Sequence, residues 1–115
     1  MLSRSRFIKD MIVLSIKRKW FDLIKCGAKA EEYREIKPYY TSRFKAFLKC
    51  YTPIHVRLKN GYKKDSPYID VLCQISIGKG FEKWGAKEGK DYYILHIEKV
   101  YDSAARLTKQ NIGCV

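Results

Sequence analysis

From Ile69 to Ile77 every second residue is apolar: Ile69, Val71, Cys73, Ile75 and Ile77, with Tyr68, Asp70, Leu72, Gln74 and Ser76 in the alternate positions. Successive side chains of a strand point to opposite faces, so this run sets one apolar row against a core. On a helix the same five residues would scatter around the circumference. The run therefore commits the chain to a sheet with a buried face.

The remaining sequence supplies partners for that strand. Residues 54–59 alternate Ile54, Val56 and Leu58 with His55, Arg57 and Lys59, and the Asn60-Gly61 pair that follows is a turn signal. Between Tyr92 and Val100, Tyr93, Leu95 and Ile97 share one face while Ile94, His96 and Glu98 share the other. Residues 11–16 form a short apolar run of strand type. Residues 30–36 form a polar one that Pro38 ends, with Glu32 and Arg34 on one face and Glu31, Tyr33 and Glu35 on the other.

Two stretches carry helical signals. Trp20, Phe21, Leu23 and Ile24 repeat at helical spacing, and Gly27 is placed to end that helix as its left-handed C′ residue. Residues 41–49 predict a second helix with Thr41 as N-cap. Residues 78–90 contain Gly78, Gly80, Gly85 and Gly89 and read as a long loop with room for one helical turn. Many strands, two helices and no regular alternation predict an α+β protein, a mixed β-barrel of about five to six strands. Residues 1–10 have no period and read as a flexible arm. Residues 11–115 read as a single domain.

Charge bounds the partners. Lys and Arg total 24 against 12 Asp and Glu, a formal net charge of +12, and such a surface attracts polyanions from beyond contact range. A basic surface is the first mark of a nucleic-acid binder. No run approaches the ~18 apolar residues of a membrane span, and the N-terminus lacks the apolar core of a secretory signal. The expectation is a cytoplasmic protein with no membrane partner. Cys26, Cys50, Cys73 and Cys114 are scattered without metal-ligand spacing, so reduced thiols and no metal or cofactor are expected.

One constellation stands out. After Gly27 turns the chain, Lys29, Glu32 and Arg34 are expected to converge on one surface. Arg34 can fork onto a phosphate or stack on a base, and Glu32 can accept from an amine or a ribose hydroxyl. Tyr39, Tyr40, Tyr62 and Trp84 fall in predicted loops, where aromatic side chains stack on bases. The competing reading is a surface ion pair between Glu32 and Arg34. His55 and His96 are expected to face solvent or line the barrel, with no serine or cysteine partner.

These residues also carry a resemblance. Residues 13–34 resemble the start of an ASCH domain, whose signature G-x-K-x-x-E-x-R is matched by Gly27, Lys29, Glu32 and Arg34. The likeness continues through His55 to Tyr62, Trp84-Gly85-Ala86 and the segment Tyr92 to Ile97, covering residues 11–100. It implies a PUA-like barrel, an RNA-binding fold, with the motif lining a ligand cleft. The implied function is recognition of RNA or a modified nucleotide by Gly27, Lys29, Glu32 and Arg34, joined by Tyr40, Arg57, Tyr62 and Trp84.

The resemblance also admits an enzyme, either a ribonuclease or a small amidohydrolase acting on an acylated nucleoside such as acetylcytidine. Its catalytic set would be Lys29, the residue at position 32 and Glu82. Position 32 is Thr in the amidohydrolase pattern and Glu here. A carboxylate stabilises a neighbouring ammonium, so Lys29 is expected to stay charged in an open cleft, which favours binding over hydrolysis.

Overall fold

A computed structural model describes residues 11–48 and 52–102. The expected arm, residues 1–10, lies outside them. The chain forms β1 (Ile12–Ser15), α1 (Arg18–Lys25), β2 (Glu31–Arg34) and α2 (Pro38–Phe44), which runs on into a 3₁₀ turn at Lys45–Phe47. Then come β3 (Ile54–Lys59), β4 (Tyr68–Lys79), a 3₁₀ turn at Glu82–Trp84 and β5 (Asp91–Tyr101). The architecture is α+β, a five-stranded sheet curled into a half-barrel with two helices.

The strand order is β1-β3-β4-β5-β2. β1 runs parallel to β3, and the other three pairings are antiparallel. The long β4 is the spine: β3 pairs with it only from Tyr68 to Cys73, and β5 pairs with it from Asp70 to Lys79. Strands β1 and β2, early in the chain, become the two edges.

The alternating row of β4 enters the core as its period requires. Ile69, Val71 and Cys73 are fully buried, and Ile75 nearly so. Ile77 is the exception at 49 % exposed, because it lies past the end of β3. Phe21 and Ile24 of α1 and Phe44 of α2 close the inner face. Each such side chain contributes roughly 1.5–3 kcal/mol by leaving water. A second, smaller cluster lies on the outer face, where the loop after β4 lays Ala86 against Tyr33, Tyr92 and Ile94. Tyr92 to Leu95 are consequently buried on both faces of β5.

Helix α1 ends as its sequence dictates. Gly27 takes φ +91°, its N–H donates to Ile24 O, and Ala28 N–H donates to Leu23 O, the paired bonds of a Schellman stop. Lys29 N–H also donates to Leu23 O, which fixes the approach to β2.

Helix α2 corrects the expected start at Thr41. It begins at Pro38 with Lys37 as N-cap, since a fixed φ and a missing N–H suit a first helical position. Thr41 instead sits within the helix and shares a hydrogen bond with Tyr93 OH at 2.7 Å. Of the cysteines, Cys73 is a free buried thiol as expected, whereas Cys26 is disulfide-bonded, a correction to the expected reduced state.

Candidate functional site: a cleft at the barrel seam

Because β1 and β2 are the sheet edges, curling brings them toward each other without a backbone ladder between them. One side chain spans the seam: Arg34 Nη2 donates to Ser15 O at 2.9 Å. A cleft of about 730 Å³ opens there. Its walls are Ser15 of β1 with Ile16 and Lys17 after it, and Glu32, Tyr33 and Arg34 of β2 with Glu35 after it. Trp20 of α1, Lys37 and Tyr40 at α2, Tyr62 after β3, and Trp84 and Tyr92 from the far side complete it.

Period two places Glu32 and Arg34 together, opposite Leu95 and Tyr93 of β5. Glu32 is only 6 % exposed, and both of its oxygens are committed. Oε1 accepts from Lys29 Nζ at 2.8 Å, while Oε2 accepts from Arg34 Nε at 2.9 Å and lies 2.8 Å from Nη2 in an ion pair. Arg34 Nη1 donates to Tyr40 OH at 3.2 Å, and the guanidinium lies 5.6 Å from the Tyr40 ring centroid. The guanidinium is thus held flat at the cleft floor. The ion pair of the competing reading is present, but as part of a nearly buried three-residue cluster rather than on the surface.

Lys29 departs from expectation. It is 1 % exposed and does not line the cleft. Its ammonium lies below, 5.2 Å from the ring centroids of both Trp20 and Tyr33, and also donates to Glu31 O. Burial pulls its pKa below the usual ammonium range, and Glu32 opposes this without reversing it. The sequence points the other way because it displays the neighbouring carboxylate but not the two rings that exclude water. The amine is thus separated from the cleft by the two rings, both of which line it.

The other expected residues divide. Tyr40, Tyr62 and Trp84 line the cleft, with Tyr62 91 % exposed. Gly27 forms the helix stop and is not among the cleft-lining residues. Arg57 lies on β3, forked onto Asp70 at 2.7 and 3.0 Å and stacked 3.9 Å over Tyr68. Glu82 is exposed at the 3₁₀ turn and outside the cleft lining. Tyr39 lies on α2, with Arg43 3.6 Å over its ring.

Sequence reasoning missed Lys17, Trp20, Lys37 and Tyr92. The signal for Trp20 was a surplus: Phe21 and Ile24 already fill the core face of α1, leaving a third large side chain for another surface. Its seat also depends on Gly85 (φ +103°), where an added Cβ would lie 3.0 Å from Trp20 Cζ2. Among the described residues no group of three or more His, Cys, Asp and Glu could hold a metal, and no helix is long and apolar enough to cross a membrane.

Comparison with protein-family models, curated proteins and solved structures returns no match for this chain. What the geometry itself defines is an α+β half-barrel with an aromatic, basic-edged cleft at its open seam.

Proposed function

We propose that this chain is an ASCH-like, PUA-related binding module that takes RNA or a single nucleotide into the seam cleft. One observation carries the reading: both tryptophans of the chain, Trp20 and Trp84, line the cleft that has the Arg34 guanidinium at its floor and Lys17 and Lys37 on its walls. Aromatic faces accept any base by stacking, and the cations answer phosphate. The volume of about 730 Å³ falls within the range of small-ligand clefts. Binding is favoured over hydrolysis because Lys29 is shielded from the cleft by Trp20 and Tyr33.

The same tryptophans supply the assay. Titration with nucleoside monophosphates and short single-stranded RNAs at low salt quenches their fluorescence. Stacking is worth ~1–3 kcal/mol per base, so Tyr62→Ala weakens binding about 5- to 150-fold. Log affinity for RNA falls linearly with log salt, and Lys17→Gln with Lys37→Gln flattens that slope by about one for each phosphate no longer neutralised. No quenching by any of these ligands at low salt refutes the reading.

A further inference from the structure

The outer face of the sheet carries a second constellation, which meets the cleft only at Tyr33. Glu31 of β2 lies opposite His96 of β5, His96 lies opposite Gln74 of β4, and Ser76 follows two positions along the same face. Ser76 Oγ and His96 Nε2 are 2.7 Å apart. The other ring nitrogen, Nδ1, is 3.5 Å from Glu31 Oε2. The second oxygen of Glu31 accepts from Tyr33 OH at 2.8 Å, and that hydroxyl accepts from Phe81 N–H at 2.9 Å. Tyr33 is fixed in turn by its ring packing against Gly80.

We propose that Ser76, His96 and Glu31 form a nucleophile–base–acid triad that accepts an acyl group from a small ester. Such triads are recognised by geometry and role, not by fold or chain order. The two imidazole nitrogens have separate tasks: Nε2 faces the hydroxyl it would deprotonate, and Nδ1 faces the carboxylate that orients the ring. Three strands distant in sequence supply the groups, and the carboxylate has its own support in Tyr33. The His96 side chain is 43 % exposed, so substrate has access. Gln74, on the same face, is committed to Glu98, its Nε2–H donating to Oε2 at 3.0 Å.

The step balances within the site. Ser76 Oγ adds to the ester carbonyl carbon as its proton passes to His96 Nε2. Collapse of the adduct breaks the ester C–O bond, the leaving oxygen takes the proton from His96, and acyl-Ser76 remains. Water then adds to the acyl carbon with His96 again as base, releasing the carboxylic acid and restoring Ser76. The site shares strands β2 and β5 and the Tyr33 side chain with the cleft, but Ser76, His96 and Glu31 are not among the cleft-lining residues, so variants at these three test it apart from nucleotide binding.

Two probes test it on the full chain. Diisopropyl fluorophosphate should phosphorylate Ser76, with loss of fluoride, as mapped by peptide mass spectrometry. p-Nitrophenyl acetate should release nitrophenolate and leave a transient acetyl group on Ser76. Both rates should fall about 100-fold or more in His96→Ala and in His96→Gln, the span expected for a positioned general base. Glu31→Gln should give a smaller loss, and circular dichroism should show that each variant stays folded. Absence of any Ser76 adduct, adducts confined to lysines, or labelling that survives both His96 variants overturns the proposal.

Discussion

Glu32→Gln removes the one negative charge on which two cations rest. Side-chain exposure is 0 % for Lys29, 7 % for Glu32 and 11 % for Arg34, and the N–O contacts are 2.8 Å on the lysine side and 2.8 Å on the arginine side. A glutamine keeps one acceptor but turns an NH₂ toward donors, so at least one cation is left without its partner. Arg34 can turn toward cleft water. Lys29 cannot, and must either stay charged beneath Trp20 and Tyr33 or give up its proton. Taking one partner from a buried pair costs about 3–5 kcal/mol. At about 4 °C per kcal/mol for a domain of this size, the melting temperature falls by about 12–20 °C.

Lys29→Met is the contrasting perturbation. It removes a buried cation and leaves Glu32 paired with Arg34, so its cost should stay within about 1 kcal/mol. Urea unfolding followed by circular dichroism measures both. If Glu32→Gln stays within about 1 kcal/mol of the parent, or Lys29→Met is equally damaging, the buried cluster is not as described.

Two further outcomes follow from the core and the loop. Burial, with a smaller effect from Glu98, pushes the Cys73 thiol from 9.0 up to about 12. The unfolded chain therefore ionises where the folded one does not. That contribution is complete below pH 9 and is lost toward pH 12 at about 1.4 kcal/mol per pH unit. Cys73→Val should flatten the alkaline stability curve by one proton, and parallel curves for parent and variant would contradict this. Gly80→Ala sets a Cβ 2.5 to 2.7 Å from three Tyr33 ring atoms, a ring anchored through its hydroxyl. Overpacking of this kind costs about 1–3 kcal/mol, and an unchanged unfolding midpoint would show that the loop yields freely.

The features legible in the sequence are those set by local periodicity. The β4 row marks the core, Gly27 marks the end of α1, and period two puts Glu32 and Arg34 on one face. What stays hidden depends on register and strand order. Arg57 reads as a ligand residue because its neutralising partner, Asp70, becomes visible only once β3 and β4 are aligned. Lys29 reads as open because its cover arrives from Trp20 on a helix and Tyr33 on a strand. Ser76 and His96 are separated by twenty positions and meet only diagonally across β4 and β5, so no motif announces them. Pro38 reads as a stop when it is also a start, the ambiguity of a residue that ends strands and opens helices.

The strand order has a consequence for how the chain is made. β2 leaves the ribosome early but, among the described residues, pairs only with β5, the last strand of that set, through pairs such as Glu32 with Leu95. Until residues 91–101 emerge, Glu32 and Arg34 have no strand beside them, and the seam cannot close. A chain stalled or cut before β5 lacks more than an edge: it has β1, β3 and β4 without either wall of the cleft on the β2 side. Such long-range pairing is slow, because loop-closure entropy is spent before any contact rewards it. On the binding function proposed above, the nascent chain acquires its cleft in a single late event, and a pulse-chase series of truncations should show no binding before Tyr101 is complete.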